Sequence, residues 1–206
     1  IAFTDGKTVL PLPASQDHKA IGDNDEGPNT GGMGAISPAP VISDELHDKI
    51  VDEIIMPTAL GMVADGHPFT GFLYAGLMVT QAGAKVLEFN VRLGDPETQP
   101  ILMRLASDLA EALMETLVGR LEQLQLDWDP RPSIGVVMAA GGYPDEYRKG
   151  DPITGLDLDR PDEIKVFHAG TRLENDRVVT NGGRVLCVTA LGDTLSRARG
   201  ELYRWL

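Results

Sequence analysis

The chain has 206 residues, 42% of them hydrophobic and 24% charged, with a formal net charge of −13. This fits a globular chain of one large or two small domains and excludes the basic stripe that a nucleic-acid surface needs. No run of about 18 apolar residues offers a membrane span, and Cys187, the single cysteine, excludes an intrachain disulfide and fits a reducing cytoplasm.

Ile1-Ala-Phe3, an Asp5-Gly6 turn and residues 8–12 predict an opening hairpin. Pro11 confines the second arm to a sheet edge. The first arm is short for a strand and reads as one cut inside a longer protein. Residues 13–40 hold no lasting periodicity and are dense in Gly, Pro, Asn and Asp, as in a functional loop or a disordered one, and composition alone favours the disordered loop. Gly31, Gly32 and Gly34 let successive backbone N–H groups converge into an anion-binding nest. Lys19 adds a point charge that suits phosphate or carboxylate. Ser43 reads as the N-cap of a scaffold helix with Leu46, Ile50, Ile54 and Ile55 on its apolar stripe, running towards Leu60 across Pro57. His67, before Pro68 in a turn, reads as structural.

Residues 69–80 and 85–93 predict two strands of a hairpin. In the second, the period of two turns Leu87, Phe89, Val91 and Leu93 towards a core. Val86, Glu88, Asn90 and Arg92 face the other way. Glu88 and Asn90 supply oxygens about 6.6–7 Å apart along a strand. Mg²⁺ is typically held by one or two carboxylates together with substrate phosphates, so the pair suits a metal–nucleotide better than a bare metal cage. Arg92 stands where a transferred phosphoryl group would gather negative charge, and an exposed sheet face with one Glu–Arg pair fits the spacing equally well. In Gly94-Asp95-Pro96, Asp95 can cap and Pro96 can open a helical turn.

Residues 101–124 predict a helix with Leu102, Leu105, Leu109, Leu113, Leu117 and Leu121 in the core and Ser107 capping its second part. Two prolines make residues 127–132 a linker. Strands are predicted at 133–140, 165–169, 178–180 and 184–190, with a turn at 141–144 and a helix from Thr194 to the chain end. In this small β-rich region His168 and Arg184 read as structural.

Glu88-Phe-Asn90-Val-Arg92 resembles the ExNxR signature of ATP-grasp enzymes. Its continuation Arg92-Leu-Gly-Asp-Pro-Glu97-Thr-Gln99 is more specific and resembles the phosphoribosylamine–glycine ligases. Gln16-Asp17-His18-Lys19, Gly27-Pro28-Asn29-Thr30-Gly31-Gly32-Met33-Gly34, Ala139-Ala-Gly-Gly-Tyr-Pro144 and Thr180-Asn-Gly-Gly-Arg184 resemble the same family. Two features depart from wider patterns. Ala20 stands where the family usually has Arg. Residues 72–80 carry no carboxylate, where ATP-grasp enzymes commonly place a metal ligand, which leaves the number of metals open.

The resemblance implies an α+β fold, with the back part of an ATP-grasp domain at 1–128 and a small β-rich domain at 129–206. It implies ligation of glycine to 5-phosphoribosylamine with ATP, through an acyl phosphate, in purine biosynthesis. Arg92 and Lys19 would serve catalysis. Asp17, His18, Asn29, Thr30, Gly31, Gly32, Gly34 and Asp95 would touch substrate. Glu88 and Asn90 would ligate Mg²⁺ or Mn²⁺ bridging the ATP phosphates. The expected partners are small molecules, with no nucleic acid and no membrane. The rivals are another ATP-grasp carboxylate–amine ligase and a nucleotide-binding piece without activity. As a C-terminal fragment, the 206 residues alone are expected not to turn over.

Overall fold

The computed structural model describes all 206 residues. In chain order the strands are β1 (Ala2–Asp5), β2 (Val9–Pro11), β3 (Gln16–Asp17), β4 (Gly34–Ser37), β5 (Thr70–Thr80), β6 (Gly83–Asn90), β7 (Ser133–Ala139), β8 (Ile164–His168), β9 (Thr171–Glu174), β10 (Arg177–Thr180) and β11 (Arg184–Leu191). The α-helices are α1 (Asp44–Ile50), α2 (Met56–Ala64), α3 (Thr98–Leu102), α4 (Leu109–Leu117) and α5 (Leu195–Leu202).

The chain packs as two compact units that interleave in sequence. One holds residues 1–14, 38–94 and 105–129; the other holds 15–37, 95–104 and 130–206. This grouping differs from a single division near residue 128. The reason is strand pairing: β4, from the loop-like stretch, joins β7 from Gly34↔Val136 to Ser37↔Ser133. The buried Arg104, after α3, donates to Ser37 Oγ and to the Arg131 carbonyl.

The first unit is built on an antiparallel sheet in the order β2-β1-β5-β6. Asp5 closes the first turn, its Oδ1 accepting from the N–H groups of Lys7 and Thr8. The expected edge strand with Pro11 is β2. The short β1 is paired on both sides, with β2 and with Thr70 to Leu73 of β5. Ala2, Val9, Ile55, Ala59 and Leu73 form the core. Ser43 caps α1 by accepting from Leu46 N–H, a contact worth about 1 kcal/mol. The helix continues into α2 through a π-helical turn at Val51–Ile55, next to Pro57.

Two expected apolar faces differ in the structure. Leu87, Phe89 and Val91 do not enter a core; they are 64%, 42% and 70% exposed. β6 is an edge strand, and the face of the outer hairpin that carries these side chains is left open to solvent. The predicted helix over 101–124 is also broken. α3 packs in the second unit and α4 in the first. Asp108, not Ser107, caps α4, while Ser107 Oγ accepts from Asp127 N–H. α4 buries Ala112 and Thr116, and Leu113 and Leu117 are exposed.

The second unit carries a five-stranded sheet in the order β3-β4-β7-β11-β8 and a β9–β10 hairpin turned at Asn175 and Asp176, both at positive φ. β9 is absent from the sequence expectation. α5, capped by Thr194, packs on β7 and β11. Ala198 and Leu202 meet Ile164, Val188 and Ala190 in its core. Truncating Leu202 to Ala would cost roughly 2–5 kcal/mol. The last helix ends at Leu202 rather than at the chain end. His168 Nδ1 bonds Thr171 Oγ1, in keeping with a structural reading.

Candidate active site

In the first unit, β6 presents Glu88 and Asn90. The ladder with β5 runs Gly76↔Glu88, Ala75↔Phe89 and Tyr74↔Asn90, then shifts register so that Leu77 pairs with Val86. Leu87 is the extra residue of a β-bulge. The bulge interrupts the alternation before Glu88 but keeps Glu88 and Asn90 on one face. Gly76 leaves room for the Glu88 side chain across the ladder.

β6 ends at Asn90, so Arg92 does not extend the strand face to i+4 as expected. It lies in the bend beyond, exposed, its Nη1 donating to the Leu93 carbonyl.

Glu88 is exposed, and Asn90 Nδ2 is buried without a hydrogen-bond partner. No group of three or more His, Cys, Asp or Glu side chains is placed to hold a metal ion. Glu88 and Asn90 are thus two oxygen-bearing side chains on one strand face, and any cation there would need further ligands from elsewhere.

In the second unit, β3, the 29–34 loop, residues 95–97 and the start of β11 come together. His18 donates its N–H to the Gly34 carbonyl and accepts from Met33 N–H. The Lys19 carbonyl accepts from both the N–H and Oγ1 of Thr30. Asn29 bridges to Ala20. Gly34 passes so close to the Gly135 carbonyl that only a residue without Cβ fits. Asp95 Oδ1 accepts from Gln99 Nε2 instead of capping α3.

The loop does not form an open nest of N–H groups. Thr30 N–H goes to the Lys19 carbonyl, Gly31 N–H to the Tyr143 hydroxyl, Gly32 N–H to Thr30 Oγ1 and Met33 N–H to the His18 carbonyl. These internal bonds shape the loop and occupy the N–H groups that an anion-binding nest would need.

Lys19 Nζ stands 4.0 Å from Asp17 Oδ2. The Asp17 side chain is 11% exposed, and its Oδ1 is buried without a hydrogen-bond partner. Burial, followed by repulsion from Glu97, pushes the Asp17 carboxyl up to about 6 against the opposing pull of Lys19 and Arg184.

Arg184, read from the sequence as structural, and Tyr143, given no role there, both bond the loop. Arg184 Nη1 donates to the carbonyls of Gly31 (2.7 Å), Gly32 (3.2 Å) and Asp95 (2.7 Å). Its Nη2 meets Asp95 Oδ2 at 3.2 Å. A Cβ on Gly183 would collide with the Tyr143 ring, so this glycine admits the ring that bonds the loop. The Gly-Gly pairs beside Tyr143 and before Arg184 were the available signal. Cys187 is buried, and desolvation pushes its thiol up to about 11, which makes it a poor nucleophile.

Residues 1–98 match the family model described as phosphoribosylglycinamide synthetase, ATP-grasp (A) domain, and residues 133–206 match the C domain of the same synthetase. The chain is 60% identical over 205 residues to a phosphoribosylamine–glycine ligase of Allochromatium vinosum, a match covering 99% of this chain and 48% of that protein. It is 58% identical to the ligase of the same name from Vibrio cholerae, again over 99% of this chain and 48% of the relative. The crystal structure of the Thermotoga maritima phosphoribosylamine–glycine ligase superposes with a TM-score of 0.85 at 36% identity, covering 99% of this chain and 50% of that one. The chain thus spans about half the length of the curated relatives it matches.

Proposed function

Because this chain belongs to the phosphoribosylglycinamide synthetase family, with its ATP-grasp and C domains, we propose that it serves an ATP-dependent ligase joining glycine to 5-phosphoribosylamine. The product is glycinamide ribonucleotide, an intermediate of purine biosynthesis made in the cytoplasm. The observation that carries this reading is the pair of 60% and 58% identities, over 99% of the chain, to two proteins named phosphoribosylamine–glycine ligase.

The chemistry balances in two steps. A glycine carboxylate oxygen attacks the γ-phosphorus of ATP, the bond to the bridging oxygen breaks, and ADP leaves. The amine of phosphoribosylamine then attacks the acyl carbon, loses a proton and expels phosphate. Arg92 stabilises charge on the transferred phosphoryl group, because a planar guanidinium meets two phosphate oxygens at once. Lys19, half-exposed beside Asp17, offers the cation of the loop cluster to a carboxylate or phosphate. Asp17, His18, Asn29, Thr30, Gly31, Gly32, Gly34 and Asp95 shape the small-substrate site. Glu88 and Asn90 would hold Mg²⁺ or Mn²⁺, which supplies neutralisation of the phosphate charge.

ADP release from a full-length ligase carrying these residues, measured with ATP and each of glycine and phosphoribosylamine withheld in turn, tests this reading. Turnover should need both small substrates. Turnover with other carboxylate and amine pairs, and none with these, would assign the chain to a different ATP-grasp ligase. The isolated 206 residues are expected to give no product, and calorimetry should find no tight binding of ATP to them.

A further inference from the structure

Arg184 draws together three segments far apart in sequence. Its guanidinium joins the start of β11 to the carbonyls of Gly31 and Gly32, and to both the carbonyl and the carboxylate of Asp95. The Arg184 side chain is 22% exposed, and Asp95 neutralises its charge. With Nη1 on three carbonyls and Nη2 on a carboxylate, the group is committed to the protein and poorly placed to receive a substrate anion.

Tyr143 completes the clamp by accepting from Gly31 N–H. Gly31 is therefore held on both sides, by the hydroxyl at its N–H and the guanidinium at its carbonyl. A Cβ on Gly31 would press within about 3.1–3.3 Å of the guanidinium atoms.

We propose that Arg184 is a positioning residue that, with Tyr143, holds the Gly31 and Gly32 peptides and Asp95 in the form that receives a small substrate. The inference rests on the functional reading above. Glycine or phosphoribosylamine then meets a preformed loop and does not lose binding energy to ordering it. A lysine cannot replace the clamp, since one ammonium cannot span a carboxylate and three carbonyls as the planar fork does.

The test is Arg184→Lys in a full-length ligase carrying these residues, with Tyr143→Phe as the milder second variant. Arg184→Lys is expected to raise KM for glycine or phosphoribosylamine about tenfold while KM for ATP stays within about twofold. Tyr143→Phe should raise the same KM by a smaller factor. It also carries the test if Arg184→Lys fails to fold. Hydrogen exchange at Gly31 and Gly32 should quicken in both variants.

A purely structural role would lower the melting temperature and kcat while leaving both small-substrate KM values alone, and that result overturns the inference. So do kinetics and exchange equal to wild type. If the wild-type enzyme itself releases no ADP with glycine and phosphoribosylamine, the functional reading fails. Exchange at Gly31 and Gly32 then still shows whether Arg184 holds the loop.

Discussion

Gly76 lies directly opposite Glu88 in the β5–β6 ladder, and a Cβ at Gly76 would come 3.0 Å from Glu88 Cγ. The glycine gives the proposed metal-binding carboxylate its space. Glu88→Ala is expected to abolish metal-dependent turnover. Gly76→Ala should displace the Glu88 side chain, which is exposed and free to move, so the fold survives. Titrating ADP release against Mg²⁺ is expected to show a several-fold higher half-saturating concentration with little change in melting temperature. An unchanged Mg²⁺ dependence in both variants would remove Glu88 from the metal site.

Arg92 makes its internal hydrogen bond to the neighbouring Leu93 carbonyl from an exposed bend. Lysine can supply that single bond, so Arg92→Lys should barely change stability. Loss of a preorganised donor to the transferred group costs about 10²–10³ in kcat. Steady-state kinetics should therefore show kcat falling by about that factor with a smaller rise in KM for ATP. An effect on KM alone would mean that Arg92 only binds the nucleotide.

Gly32 has φ near +113°, and a Cβ there would meet the Pro96 ring and come 2.7 Å from Asp17 Oδ1. Neither the ring nor the buried carboxylate yields easily. Gly32→Ala should destabilise the chain by about 1–3 kcal/mol from backbone strain and overpacking. Gly61, inside α2, faces open space, with no atom within 4 Å of the point a Cβ would occupy. Gly61→Ala should instead stabilise by about 0.5–1 kcal/mol. Thermal denaturation of the two variants should move in opposite directions, and equal shifts would refute the crowding argument.

The Asp17 carboxyl is raised to about 6 from an ordinary value of 3.8. Between these values the folded chain holds a proton that the unfolded chain has released. The Asp17 contribution to stability is therefore greatest below about 3.8, falls as pH rises towards 6, and levels off above it. Asp17→Asn removes this dependence. The difference in stability between the variant and wild type, followed by urea denaturation from about pH 4 to 7, should grow in the variant's favour up to about pH 6. A flat difference would mean that Asp17 titrates normally.

Local patterns carried much of this protein in the sequence alone. The turn at Asp5, the cap at Ser43, the start of the last helix at Thr194, the paired strands around Gly83 and the shared face of Glu88 and Asn90 each depend on neighbours within a few residues. The family motifs likewise stood in contiguous stretches. Tertiary structure alone decided which apolar faces were covered. Leu87, Phe89 and Leu117 sit in periodic patterns yet lie exposed, because periodicity identifies a face and not what packs on it. It also recruited β4 from a glycine-rich loop into the second sheet, where β7, about 100 residues later, supplies the hydrogen-bonding partner. Arg184 entered the site in the same way, through carbonyls 152 and 153 residues away. Backbone carbonyls leave no mark in residue identity, so the glycines before Arg184 could mark a close approach but not the carbonyls its guanidinium would reach.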